Sequence, residues 1–175
     1  MPVRINIVLF GIGNTGSALI KKVLKEKDSL AESKRLDVRF PVITNSSVAF
    51  FEKEGTAFAW EANFIQFAIP FKMEDVLNYV MGNNLENLII VDATASPSLP
   101  AEYLDFIRSG FSIVSINETL QFLPDNFEKG IKFLADSHGL GYAFLQADGN
   151  SAQLAAGVLL DAIVKVARKQ NALAL

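Results

Sequence analysis

Ile5-Asn6-Ile7-Val8-Leu9-Phe10 runs directly into Gly11-Ile12-Gly13-Asn14-Thr15-Gly16, and the reading of this stretch decides the fold. The first half is a short, nearly continuous apolar run rich in β-formers, the pattern of a strand buried on both faces. Beyond the glycines, Ala18, Leu19, Ile20, Val23 and Leu24 recur at helical spacing to about Lys27, with Lys21, Lys22 and Lys25 on the other face. A bare GxGxxG says little. One that leaves a strand and opens a helix has the context of a dinucleotide-binding turn. In that reading Gly11 permits the tight turn, Gly13 lets a pyrophosphate approach the backbone, and Gly16 lets the helix pack close to the sheet. The free N–H groups near Ile12, Asn14 and Thr15, with the helix dipole, would face the phosphates. The plainer alternative is a glycine-rich turn that only packs.

The same alternation continues along the chain. Asp37 to Thr44 reads as a second strand, in which Pro41 implies an edge or a bulge. Phe50, Phe51, Phe58, Trp60, Phe64, Phe67 and Phe71 crowd the middle with poor periodicity, and a strand from Phe64 to Ile69, closed by Pro70, is one reading of it. Helices are expected over Glu74 to Met81, Leu99 to Ser109, Asn126 to Ser137 and Ser151 to Lys169. Strands are expected over Leu88 to Val91, Phe111 to Ile116 and Gly141 to Leu145. Apolar strands alternating with helices imply a doubly wound parallel sheet, a Rossmann-like α/β fold, as a single domain over 1–175. The final helix, 151–169, should pack back on that domain through Leu154, Val158, Ala162 and Val166.

Composition narrows the function classes. The 175 residues are 50% hydrophobic and 20% charged, enough for a sizeable core. A net charge of −3 gives no general basic surface for nucleic acid. No Cys means no disulfide, iron–sulfur site or thiol nucleophile, and a single His argues against a His-built metal site. No apolar run reaches transmembrane length and no signal peptide is visible, so a soluble cytoplasmic protein is the expectation.

Three further segments sit where strands end, at the edge beside the ligand crevice of a doubly wound sheet. After the second strand, Thr44-Asn45-Ser46-Ser47 has neither an acid for a ribose 2′-hydroxyl nor an Arg for a 2′-phosphate, so Asn45 and Ser46 are compatible with NAD or NADP. In Val91-Asp92-Ala93-Thr94-Ala95-Ser96-Pro97, Thr94, Ala95 and Ser96 would meet ribose or nicotinamide; an Asx or Ser/Thr turn with helix capping explains them equally well. Asn117, in Ser115-Ile116-Asn117-Glu118, would meet the nicotinamide amide or serve as a turn.

Together, Gly11 to Gly16, the VDATAS stretch Val91 to Ser96, the GFSIVSINE stretch Gly110 to Glu118 and the AAGVLLDAIVKVAR helix Ala155 to Arg168 resemble the nucleotide-binding domain and C-terminal helix of homoserine dehydrogenases. The resemblance is weakest between Asn45 and Met81. It implies an NAD(P)-binding domain. It also implies a large substrate and dimerisation domain between the last strand and the C-terminal helix, and here Gly141 to Leu145 leads through Gln146 to Gly149 almost directly into that helix. The family lysine that follows the asparagine of the fifth strand is Glu118 here, and the family glutamate of the sixth strand is Gln146. A carboxylate at position 118 cannot supply positive charge to a developing alkoxide.

His138 stands alone before a strand, at the amino end of the sheet, and reads as a surface residue. The expected function is therefore a homoserine dehydrogenase-like dinucleotide-binding domain with no catalytic residue of its own. Two alternatives stay open: an enzyme completed by another chain, and an interaction module with a relic glycine loop. The aromatics of 50–71 either fill the core or present a surface to a second copy or a protein partner.

Overall fold

The computed structural model describes residues 1–146 and 151–171; the connector reading beyond Gln146 and the last four residues of the 1–175 span fall outside them. In chain order the elements are β1 (Val3–Phe10), α1 (Asn14–Lys25), the single turn α2 (Lys27–Ser29) with a π-helical turn after it, β2 (Leu36–Thr44), β3 (Val48–Phe51), α3 (Trp60–Phe67), β4 (Ile69–Pro70), α4 (Met73–Gly82), β5 (Leu88–Asp92), α5 (Tyr103–Arg108) led by a 3-10 turn (Leu99–Glu102), β6 (Ser112–Ser115), a second 3-10 turn (Glu118–Phe122), α6 (Asp125–Ser137), β7 (Tyr142–Phe144) and α7 (Ala152–Asn171). They form one sheet in the order β4-β3-β2-β1-β5-β6-β7. β2, β1, β5, β6 and β7 are parallel, while β3 and β4 add antiparallel at the β2 side.

The period-two geometry of β1 sorts its side chains onto two cores. Ile5, Ile7 and Leu9 pack beneath α1 and α7 with Leu19, Val23, Leu159 and Ile163. Val8 and Phe10 pack on the other face with Val76, Val80, Phe106 and Ile131 from α4, α5 and α6. Both faces are covered, which is why β1 and β5 read as continuous apolar runs.

Pro41 lies inside the sheet, not at its edge. Between the pairs Asn6↔Arg39 and Val8↔Val42, β1 advances two residues and β2 three. The proline sits in that bulge, where no ladder N–H is required, and its carbonyl accepts the N–H of Glu52 at 2.8 Å. The expected strand at Phe64 to Ile69 is instead the helix α3 followed by the two-residue β4. Trp60, Phe64 and Ala68 recur every four residues, and all three reach the α1-side core, so helical spacing decides the segment.

The α7 face also differs from expectation. Ala155, Ala156, Leu159, Ile163, Val166 and Ala167 are buried, whereas Leu154 and Val158 are exposed. Apolar residues surround this helix on most sides, so its contact with α1 and the sheet selects the inward face. No helix among the described residues is long and apolar enough to cross a membrane.

Candidate functional site

The parallel strands place their carboxyl ends side by side, and connections from β1 and β5 leave to opposite faces. Their shared end is the switch point at which doubly wound sheets bind ligands. A cleft of about 610 Å³ opens there. Phe10, Gly11, Ile12 and Gly13 line one wall, and Thr94, Ala95 and Ser96 the other. Thr44, Asn45 and Ser46 close one end, and Phe71, Met73 and Leu99 make it apolar.

Each glycine of the first wall meets different surroundings. Gly11 has φ +99°, and a Cβ there would lie 2.6 Å from the Ala93 carbonyl oxygen. Its N–H is held by Thr44 O at 2.8 Å, while Ala93 N–H bonds Phe10 O at 2.8 Å, so the turn is stitched to both neighbouring strands. A Cβ at Gly16 would lie 1.9 Å from the Gly11 carbonyl oxygen. A Cβ at Gly13 would meet nothing within 4 Å. Gly13 is the N-cap of α1; no side chain caps that helix and its first turn carries no acid. The first N–H groups of a helix lack intrahelical partners. Here they stand beside an open, glycine-lined space with the positive end of the helix dipole behind them.

The second wall is a hydrogen-bonded side-chain cluster. Asp92 ends β5 fully buried. Its Oδ1 accepts from Thr94 N at 2.9 Å and Thr94 Oγ1 at 2.7 Å. Its Oδ2 accepts from Tyr103 OH at 2.5 Å and Asn117 Nδ2 at 3.0 Å. Asn117 Nδ2 also donates to Ser96 O at 2.9 Å, and its Oδ1 accepts from Thr119 N at 3.1 Å. Ser115 Oγ accepts Asn117 N–H at 3.0 Å and lies 2.8 Å from Tyr103 OH. Burial first, and the Asp92 charge second, push the Tyr103 phenol far above its ordinary range, which keeps it a hydrogen-bond donor.

Gly11, Ile12, Gly13, Asn45, Ser46, Thr94, Ala95 and Ser96 thus share one cleft. Asn14 and Thr15 begin α1 outside the cleft lining, Asn14 facing a separate hollow between α1 and α7, and Gly16 packs against the Gly11 carbonyl. Asn117 is fully buried behind the second wall, with its amide engaged on both sides. The VDATAS segment is an Asx turn and a Ser/Thr turn: Thr94 Oγ1 accepts Ser96 N–H at 3.1 Å, and Ser96 Oγ accepts Leu99 N–H at 3.3 Å. Asn45 has a local duty too, since its Oδ1 accepts the N–H groups of Ser47 and Val48, both at 2.8 Å, in the β2–β3 hairpin.

Sequence reasoning missed Asp92 and Tyr103 as site-building residues, and Phe71, Met73, Leu99 and Glu102 as cleft residues. Asp92 followed by Thr94 carries a local Asx signal. Nothing local marks Tyr103, which reaches Asp92 only because α5 folds back over β5. Glu102 is the one ionisable side chain among the described residues that line the cleft. Glu118 is exposed and lies outside that lining. His138 follows α6 at the opposite end of the sheet and is exposed.

Of the crowded aromatics, Phe50 and Trp60 are buried and Phe64 packs on the core. Phe51 tilts against Tyr79 with centroids 4.9 Å apart, and Phe71 meets Phe10 edge-on at 6.2 Å. Phe58 and Phe67 remain exposed, with Ile65 and Ile69 near them in sequence.

Fold and cleft together define a class, a doubly wound α/β domain with a glycine turn at its first helix. The chain belongs to the homoserine dehydrogenase NAD-binding-domain family, whose model matches residues 11–144. It is 30% identical over 129 residues to a bifunctional aspartokinase/homoserine dehydrogenase of Buchnera aphidicola, covering 73% of this chain and 16% of that protein. It is 28% identical over 116 residues to bifunctional aspartokinase/homoserine dehydrogenase 2 of Escherichia coli, covering 66% and 14%. The chain therefore spans about one-sixth of the length of these curated relatives.

Among solved structures, a hyperthermophilic archaeal homoserine dehydrogenase in complex with NADPH superposes with a TM-score of 0.61 at 18% identity, over 81% of this chain and 44% of that one. A Candida auris protein of unknown function gives 0.63 at 22% identity, over 82% and 39%. Both likenesses are to the fold.

Proposed function

We propose that this chain binds a nicotinamide dinucleotide across the cleft and does not oxidise homoserine by itself. The carrying observation is the contrast within the glycine turn. Gly11 and Gly16 are closed in by backbone, whereas the space in front of Gly13 is open at an uncapped helix N-terminus. That arrangement fits a pyrophosphate, which would accept from the α1 N–H groups. The apolar end formed by Phe71, Met73 and Leu99 suits the adenine ring, with Asn45 and Ser46 beside its ribose. Thr94, Ala95 and Ser96 form the wall towards the nicotinamide half, and Asn117 acts through them. Neither an acid nor an Arg stands at 44–47, so NAD and NADP are both accepted, with modest affinity.

A bound nicotinamide supplies hydride exchange. The chain's own residues supply binding and orientation only. Proton management needs an acid or base placed at the reacting carbon, and the one ionisable side chain among the described cleft residues, Glu102, is given no such role in this reading. Residues 145–151 link β7 to α7, too short a path for a substrate domain at that point. A cytoplasmic location is part of the same proposal. The exposed Phe58, Ile65, Phe67 and Ile69 are where association with a second copy or a protein partner would occur.

Calorimetric titration with NADH and NADPH tests the binding reading, with saturable one-to-one binding of either as the expected result. Steady-state assays with homoserine and NAD or NADP, in both directions, test the rest. Robust turnover by the purified chain would replace this reading with that of an active dehydrogenase. Turnover only on adding a second chain would identify a split enzyme.

A further inference from the structure

Asp92 is a buried carboxylate that the dinucleotide reading leaves without a task. Its two oxygens receive donors from three separate segments: the β5 loop through Thr94, α5 through Tyr103, and the β6 loop through Asn117. Asn117 then reaches on to Ser96 O and Thr119, so the two loops are joined twice, once at Asp92 and once at Ser96. We infer that Asp92, with Tyr103 and Asn117, is a clamp that holds the Thr94–Ser96 wall in its ligand-ready position before dinucleotide arrives. Asp92 is on this view a positioning residue, and the inference rests on the dinucleotide reading above.

The chemistry of the hub explains why a carboxylate is needed. Every partner donates, and a carboxylate accepts at both ends. An amide in its place keeps one accepting oxygen and turns an N–H₂ group towards either Thr94 or Asn117, both of which donate. Either the Thr94 N–H bond that shapes the wall or the Asn117 bond that joins the two loops must open. A pre-set wall lowers the ordering cost of binding, and a loosened one restores it. The expected phenotype is therefore local: the wall loosens and ligand weakens, while the sheet beneath keeps its stability.

The test compares wild type with Asp92→Asn by residue-resolved amide exchange and by NADPH and NADH titration. The Thr94 amide, bonded to Asp92, and the Thr119 amide, bonded to Asn117, report on the clamp; Ile7 and Ile90 in β1 and β5 report on the sheet. The expected result is exchange at least about tenfold faster at Thr94 and Thr119 only, with affinity about tenfold weaker. Uniform acceleration at all four amides would show a merely structural role and overturn the clamp. So would unchanged exchange at Thr94 and Thr119, or loosened loops with unchanged affinity. Should Asp92→Asn not fold, Tyr103→Phe, which removes one donor and keeps the ring, is read by the same criteria. If wild type binds neither dinucleotide, the dinucleotide reading falls and takes the ligand-ready role with it, a result distinct from wild-type binding that the variants leave unchanged.

Discussion

The two walls of the cleft are made of different material. At Gly11, Gly13 and Gly16 side chains are left out, and the space in front of Gly13 stays open at the uncapped start of α1. At Thr94 to Ser96 side chains crowd together, and a buried carboxylate, a phenol and an amide hold a loop by hydrogen bonds. The first wall keeps space open. The second shapes that space by fixing a neighbour. The first therefore depends on steric exclusion within one short segment, and the second on partners brought together from β5, α5 and β6.

Breaking the first wall should have the largest effect. Gly16→Ala places a Cβ 1.9 Å from the Gly11 carbonyl. The loss should exceed about 3 kcal/mol, seen as a large drop in the denaturant midpoint or as failure to fold. Gly13→Val is the sharper test because it separates stability from binding. With nothing within 4 Å of the new Cβ, stability should change by no more than about 1 kcal/mol. Dinucleotide affinity should fall by about a hundredfold, or roughly 3 kcal/mol, in a calorimetric titration. A folded Gly13→Val protein that binds as wild type does would remove the glycine turn from the site.

The second wall should fail more gently. Tyr103→Phe deletes the hydroxyl that Asp92 and Ser115 share; the loosening should stay local, with stability by chemical denaturation at neutral pH within about 1 kcal/mol of wild type. The same variant has a pH signature. In the folded protein the phenol is held above its ordinary value of 10.0, so folded Tyr103 keeps its proton where the unfolded chain loses it. Its contribution is complete below pH 10 and declines as pH rises above that value. Wild-type stability should fall more steeply than that of Tyr103→Phe on the alkaline side. Parallel alkaline limbs would sink the assignment of that slope to Tyr103. Smallest of all is Ser98→Ala. Ser98 lines the cleft, and its exposed hydroxyl shares a hydrogen bond with Ser96 Oγ at 3.1 Å. Stability and affinity should both stay within about 0.5 kcal/mol of wild type, which would mark where the second wall ends.

How much was legible in the sequence follows the same division. The β1–glycine–α1 unit is local, so apolar run, turn and helical period stand next to one another in the chain and can be read there. Pro41 announces a disturbance of the strand, but whether edge or bulge depends on β3, whose pairing with β2 no local pattern displays. Trp60, Phe64 and Ala68 carry a helical spacing that the surrounding phenylalanines obscure. On α7 the expected face included Leu154 and Val158, which are exposed; a helix apolar on most sides does not specify its own orientation. Asn117 was legible as a residue near the site, but its role behind the wall was not.

The sequence by itself determined the α/β alternation, the position of the glycine turn between the first strand and first helix, and the absence of cysteine chemistry. Each follows from residue types and spacings within a few turns of chain. Only the tertiary structure decided that Asp92, Tyr103, Ser115 and Asn117 form one buried cluster, that Phe71, Met73 and Leu99 share an apolar end of the cleft, and which side of α7 faces the core. Those relations join residues that are distant along the chain, and hydrogen bonds and packing between them are set by where the strands and helices come to lie in space.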